Sequence, residues 1–170
     1  HRDLYSFPTR RSSDLLVDVF AGNVKDLPTP PSKEQLYQPL ESGTILEHIK
    51  HKMDYCEIRD SHLAKQTGIS GSSIGKARKG ECIKTESIIT ILDALGFGFI
   101  DIADVSKVYD APEIIEVIKQ RIVNSGVRTK DLASFCDASP SVISHLKNDG
   151  IPPKLEITEK LITYFGFKVI

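Results

Sequence analysis

Residues 63–97 read LAKQTGISGSSIGKARKGECIKTESIITILDALGF, and residues 132–167 repeat the pattern as LASFCDASPSVISHLKNDGIPPKLEITEKLITYFGF. The matched positions are Leu63-Ala64 with Leu132-Ala133, Ser70 with Ser139, Ile74 with Ile143, and Gly96-Phe97 with Gly166-Phe167. The offset between the two stretches is 69 residues at the start and 70 at the end. This spacing is longer than a solenoid period and suits a small domain that occurs twice.

Helix start and stop signals recur in both repeats. In the first repeat, helices capped by their first residues are predicted from about Thr44 to Tyr55, Asp60 or Ser61 to Thr67, Ser70 to Arg78, and Thr85 to Leu95. In the second repeat, helices are predicted to begin at Pro112, Thr129, Ser139 and Glu156. A β-prone run ends each repeat, and residues 97–100 and 166–170 could pair as a short ribbon. The predicted fold class is all-α, with two tandem helical bundles and this ribbon.

Both repeats meet the demands of a helix-turn-helix motif. The first helix needs a small residue at the crossing, the turn needs a residue that tolerates positive φ, and the second helix needs an inward apolar pair. In the first repeat, Ala64 is the small residue, Gly68 is the turn residue, and Ile74 with Ala77 is the apolar pair. In the second repeat, the corresponding residues are Ala133, Asp137, and Ile143 with Leu146. Short helices with a tight turn also occur in α-helical proteins that do not bind DNA.

On these residues the repeats resemble the λ-repressor/Cro-like family of helix-turn-helix domains, also called the Xre family. Residues 44–97 match that family's pattern closely, and residues 113–170 match it more loosely. The resemblance implies compact helical bundles, sequence-specific binding to double-stranded DNA, and usually a homodimer. It predicts a transcriptional regulator of prokaryotic or phage type, cytoplasmic and associated with the nucleoid, that needs no cofactor.

The resemblance also implies where DNA would be read, because the family places its second motif helix in the major groove. The expected DNA-binding residues of the first repeat are Lys65, Ser70, Gly71, Ser72, Ser73, Lys76, Lys79 and Lys84. The outward positions carry no Arg, Asn or Gln, the residue types that make bidentate base contacts. Gly75 is expected on the same outward face, either for close approach to DNA or as an unconstrained exposed position.

The second repeat offers either a further DNA site or a protein interface. Its candidate residues are Ser139, Ser141, Val142, His145 and Lys147. The chain as a whole has a net charge of −1, so DNA binding must rest on local charge. The local balance is +3 in residues 70–84 and +1 in residues 139–154. An alternative hypothesis is therefore a protein-interaction module, antitoxin-like or adaptor, whose second repeat holds a protein partner.

Other classes of function find little support in the sequence. The three cysteines lack the short spacing of a zinc site, and His48 and His51 have no neighbouring residues to complete a ligand set. We find no nucleophile with a partner base and no complete cofactor motif, so no enzyme, metal or cofactor is predicted. No apolar run approaches the ~18 residues of a membrane span.

The chain is divided by these patterns into four parts. Ser6–Leu15 resembles a translated sequencing adapter, so residues 1–15 are expected to be a non-native scar. Residues 16–42 contain a proline-rich stretch and are predicted to be a leader or linker. The two helix-turn-helix domains are predicted at 43–108 and 109–170.

Overall fold

The computed structural model describes residues 31–170. The predicted non-native residues 1–15, and the predicted leader up to residue 30, lie outside this described part. A short helix, α1, spans Lys33–Leu36. Residues from Leu36 to Ile170 form one compact unit, and the predicted boundary after residue 108 falls within a strand of this unit.

The compact unit contains the same series of elements twice. The first series is α2 (Ile45–Tyr55), α3 (Asp60–Thr67), α4 (Gly71–Arg78), α5 (Thr85–Ala94) and β1 (Gly98–Asp101). Strand β2 (Asp104–Asp110) and a 3-10 turn (Ala111–Glu113) follow. The second series is α6 (Ile114–Asn124), α7 (Thr129–Phe135), α8 (Pro140–Asp149), α9 (Leu155–Tyr164) and β3 (Phe167–Val169). Each element of the second series begins 69 or 70 residues after its counterpart.

Local capping explains several of these boundaries. The Thr44 hydroxyl accepts a hydrogen bond from Glu47 N–H (3.2 Å), and the Glu47 carboxylate accepts one from Thr44 N–H (2.7 Å), which forms a capping box at the start of α2. Ser70 caps α4 as predicted. The predicted caps at Thr85 and Thr129 are wrong, because both residues lie in the first helical turn.

The two turn residues singled out by the sequence adopt the expected backbone. Gly68 has φ of 72°, and Asp137 has φ of 52°. Glycine reaches this region without a steric penalty, and aspartate is one of the side chains that tolerate it. The requirement of both turns for positive φ is therefore confirmed.

Three strands form an antiparallel sheet in the order β2-β1-β3. Pairing of Phe99 with Val169 confirms the predicted ribbon between the ends of the two repeats. The all-α prediction omitted β2, whose residues are mostly exposed and lack the apolar alternation of a half-buried strand. Gly98 allows β2 to lie close, because a Cβ there would be 2.9 Å from the Tyr109 carbonyl oxygen. The fold is thus mostly helical with a three-stranded sheet.

Equivalent apolar side chains of the two repeats fill the core. Ile49, Leu63 and Ile74 are at most 1% exposed, and so are their counterparts in the second repeat. These counterparts are Ile118, Leu132 and Ile143. The same apolar periodicity therefore buries the same side of each helix in both repeats. Within the described residues, no helix is both long and apolar enough to cross a membrane.

A buried carboxylate connects the end of the first repeat with the second. Asp101 is 1% exposed and accepts hydrogen bonds from Ala103 N–H (2.9 Å) and from the Arg121 guanidinium. The guanidinium carbon of Arg121 lies 5.4 Å from the ring centroid of Phe167. This cluster joins β1, α6 and β3.

Replacing Arg121 with methionine tests this cluster. The change leaves the buried Asp101 carboxylate without its charged partner, so we expect the free energy of unfolding to fall by about 2 kcal/mol, less than for a fully buried pair because Arg121 is partly exposed. Arg128→Met is the matched control, since the pair of Arg128 with Asp131 is exposed and should matter little. Urea unfolding measures both variants, and equal losses would contradict the prediction.

Candidate nucleic-acid interface

The α3–turn–α4 segment has the geometry that the sequence predicted. Gly68 N–H donates to the Ala64 carbonyl (2.9 Å), which closes α3 and turns the chain towards α4. Ile74 and Ala77 are 0% exposed and hold one side of α4 against the core. The other side of α4 is left free to contact a ligand.

Most of the predicted DNA-binding residues of α4 are accessible. Gly71, Ser72 and Lys76 are exposed, whereas Ser73 is half-buried. The Ser70 hydroxyl is engaged in the helix cap, where it accepts from Ser73 N–H (3.2 Å) and donates to the Ser73 hydroxyl (2.9 Å). The hydroxyl of Ser72 makes no hydrogen bond within residues 31–170. Ser72 is thus better placed than Ser70 to contact a base edge.

Four exposed lysines lie on α4 or on the segments next to it in the chain. Lys65, Lys76, Lys79 and Lys84 are all exposed, and no carboxylate in the described part of the chain forms an ion pair with any of them. Their ammonium groups therefore face solvent and are available to an anion. Lysine is a point charge on a flexible stem, which suits contacts to phosphate.

The remaining cation of α4 has a different position. Arg78 donates to Asp54 Oδ1 (2.9 Å from Nε), to Asp60 Oδ1 (3.0 Å from Nη1) and to the Ile58 carbonyl (3.4 Å). The hydrogen bonds that Arg78 donates to the two carboxylates raise the pKa of Arg78, with the Asp54 contact contributing most. Arg78 thus fastens α4 to α2 and α3 and offsets part of the negative charge of two nearby acids, which leaves phosphate contact to the lysines.

Gly75 does not occupy the outward position expected from the sequence. It is half-buried, and a Cβ on it would lie 3.3 Å from Asp60 Oδ2. The absence of a side chain makes room for the carboxylate that binds Arg78. Gly75 therefore serves packing between α3 and α4, and the prediction of a surface-facing glycine is wrong.

The second repeat presents a less charged version of the same surface. Ile143 and Leu146 are buried, while Ser139, Ser141 and His145 are exposed and Val142 and Lys147 are half-buried. The Ser139 and Ser141 hydroxyls are 2.8 Å apart, and His145 Nδ1 lies 3.0 Å from Asp149 Oδ2. An open concavity of about 500 Å³ runs along this side of α8.

Two charged residues complete this second surface. Asp137, the acid in the turn before α8, pairs with the Lys160 ammonium (2.5 Å), which holds the pKa of its carboxyl below the usual range. Lys154 is exposed at the N-cap of α9, as Lys84 is at the N-cap of α5. The sequence-based site did not include Lys154. Aligning the repeats at an offset of 70 residues would have identified it as the counterpart of Lys84.

A separate concavity of about 450 Å³ lies between the start of α2 and α9. His48 lines it, is 2% exposed, and has an Nδ1 atom without a hydrogen-bond partner. Burial lowers the pKa of His48, and the nearby His51 adds to this effect. Glu159, on the same wall, accepts from Ile45 N–H (2.6 Å), and burial raises its pKa. Within residues 31–170, no three His, Cys, Asp or Glu side chains are grouped to hold a metal ion.

Comparison of the chain with protein-family models, curated proteins and solved structures finds no match. The resemblance to the λ-repressor/Cro-like family therefore stays a prediction from the residues of the two repeats.

The buried imidazole of His48 should make the fold sensitive to acid. Because its pKa is lower in the folded chain than the ordinary value of about 6.5, the unfolded chain binds the additional proton and stability falls as pH drops below that value. In His48→Leu, the decrease in Tm between pH 7.5 and pH 5.5 should be smaller than in the parent.

The exposed His62 on α3 provides the control, and His62→Leu should keep the parent's dependence on pH. Glu159 works in the opposite direction, because its raised pKa contributes stability that is lost as pH rises. Both variants retain Glu159, so their difference isolates His48. An unchanged slope in His48→Leu would contradict the assignment.

Proposed function

We propose that this chain binds double-stranded DNA through the exposed side of α4 and regulates transcription in a prokaryote or phage. The observation that carries this proposal is a set of four exposed lysines without carboxylate partners, on α4 and on the segments before and after it, combined with an α4 whose opposite side is buried. On a chain with a net charge of −1, such a concentration of positive charge favours an anionic partner at this place. The expected cellular location is the cytoplasm, in association with the nucleoid.

The dimensions and chemistry of α4 suit the major groove. An α-helix with its side chains is ~10–12 Å across, and the groove of B-DNA is ~12 Å wide. Gly71 and Ser72, at the start of α4, would approach base edges, and Lys76 would reach a guanine acceptor or a phosphate. Lys65, Lys79 and Lys84 would bind phosphates on either side.

This set of residues also indicates how the site would discriminate between sequences. The exposed positions at the start of α4 hold no Arg, Asn or Gln that could make a bidentate contact with a base. Phosphate contacts would therefore supply most of the affinity, and discrimination would come from serine contacts and from the shape of the duplex. We expect binding that is strongly dependent on salt and only moderately selective.

A second candidate function is protein binding through the second repeat. Phe135 and Tyr164 are both exposed and stack edge to face, with ring centroids 4.9 Å apart. Ile151 is 55% exposed beside the concavity along α8, where Val142 also lies. Exposed aromatic and apolar side chains of this kind are typical of protein interfaces. A partner held by these contacts would stay bound at high salt, whereas DNA would be released.

Replacing two lysines tests the proposed function. The double variant Lys76→Ala with Lys79→Ala should bind a random-sequence duplex more weakly, and the slope of log affinity against log salt should decrease by about 1.8, or ~0.9 for each lost phosphate contact. Fluorescence anisotropy between 50 and 200 mM salt, on a duplex roughly three helical turns long, measures both quantities.

The matched control removes two lysines from other surfaces. Lys50 on α2 and Lys168 on β3 are exposed and lie outside both helix-turn-helix segments. Lys50→Ala with Lys168→Ala changes the net charge equally, so it should leave the slope close to that of the parent. If the two double variants lose affinity equally, α4 is not the DNA-binding surface.

A further inference from the structure

The two repeats pair through equivalent residues, as the two subunits of a symmetric dimer do. With Phe97 aligned to Phe167, Phe99 is the counterpart of Val169, and these two residues pair directly. Gly98 N–H donates to the Ile170 carbonyl (3.1 Å), and Ile170 N–H donates to the Gly98 carbonyl (3.0 Å).

The next pair confirms the reciprocal pattern. Ile100 pairs with Lys168, which are the counterparts of Ile170 and Gly98. The pair of Ile100 with Lys168 and the pair of Gly98 with Ile170 are thus related by exchange of the two repeats. This is the pattern of an isologous interface, and it places a local two-fold axis at the pair of Phe99 with Val169.

A second contact between the repeats obeys the same symmetry. A groove of about 490 Å³ is lined by residues 82–86 of the first repeat and residues 152–156 of the second. These two segments are counterparts, position by position, at an offset of 70. The Thr85 hydroxyl donates to the Pro153 carbonyl (2.6 Å). This buried hydrogen bond joins the two walls of the groove. The exposed N-caps Lys84 and Lys154 therefore belong to a symmetric pair beside the local axis.

The outer surface of α8 continues directly into this groove. The concavity along Val142 and His145 is also lined by residues 152–154, which form one wall of the groove between the repeats. The wall formed by residues 82–86 follows α4 in the chain, as the wall formed by residues 152–156 follows α8. If the local two-fold relation extends to the motif helices, the exposed side of α4 meets this groove from its other wall.

We propose that a single chain is an internal dimer that places α4 and α8 in two successive major grooves on one side of a duplex. Lys84 and Lys154 would bind the phosphates between these grooves. This inference rests on the proposed function and adds the second DNA-binding helix and the stoichiometry. A second copy of the chain, which the family resemblance led us to expect, is then unnecessary.

The two halves of the DNA site must differ in sequence. Exposed α4 carries Ser72 and Lys76, which offer a hydroxyl and an ammonium group to bases. The corresponding surface of α8 carries Ser141, Val142 and His145, of which Val142 suits a thymine methyl group. The preferred site is therefore two unlike half-sites, with centres about 10 base pairs apart, and not a palindrome.

Selection from a random duplex pool, followed by light scattering on the complex with the selected duplex, tests this inference. We expect one chain for each duplex and two unlike half-sites about one helical turn apart. Two chains on one duplex with identical inverted half-sites would overturn the inference and leave the proposed function standing. If the full chain selects no sequence and binds no duplex, both are rejected.

A substitution on α8 distinguishes a single chain that uses both α4 and α8 from a homodimer that uses two copies of α4. Ser141 is exposed, so Ser141→Glu should fold normally and should place a negative charge against the phosphates. We expect at least a tenfold loss of affinity for the selected duplex (about 1.4 kcal/mol) and loss of base preference in one half-site only.

The matched control is Val105→Glu, which adds the same charge on β2, where Val105 is 70% exposed. Thermal unfolding followed by circular dichroism checks that both variants fold. A homodimer that reads DNA with two copies of α4 would tolerate both substitutions equally. Equal affinities of the two variants would therefore overturn the role of α8.

Discussion

Pairing of β1 with β3 joins the two repeats into one unit. In the described sheet β3 pairs only with β1, so it has no strand partner within its own repeat. The pairing brings the ends of the two repeats together, and the buried Asp101 with Arg121 adds a charged contact beside it. The junction therefore helps to place α4 relative to α8, since each helix is held in its own repeat by buried side chains such as Ile74 and Ile143.

The distribution of charge around α4 separates structural from functional roles. Arg78 can form several directed hydrogen bonds at once, and it uses them to hold two carboxylates and a carbonyl. The lysines nearby make no such contacts and keep their charges in solvent. Arg78 thereby offsets part of the negative charge of two carboxylates that would otherwise repel a phosphate backbone more strongly, and it also stabilises the helix. Stability and the proposed DNA binding are served by different cations.

The two repeats have diverged most where they meet solvent. Three of their core positions hold the same residue in both copies, Ile49 with Ile118, Leu63 with Leu132 and Ile74 with Ile143, and their turns share positive φ. Their outer surfaces differ. The exposed positions of α4 hold small side chains and a lysine, whereas α8 begins with Pro140 and carries Val142. Packing restricts a buried side chain more than solvent restricts an exposed one, so duplicated units change first on their surfaces. A chain built in this way can place two different helices on one ligand.

Periodicity and turn residues were sufficient to predict the repeats, most of the helices, the turns with positive φ and the buried positions of α3 and α4. These features depend on periodicity and local backbone preference, which act between residues close in the chain. The folded chain adds the position of β2, the pairing of Arg78 with Asp54 and Asp60, the half-buried position of Gly75, and the symmetric groove with Lys84 and Lys154. Each of these is a contact between different elements, which no local preference of one segment specifies. The contacts of β2, Arg78 and Gly75 form within or beside the first repeat, whereas the groove exists only after the two repeats have packed together.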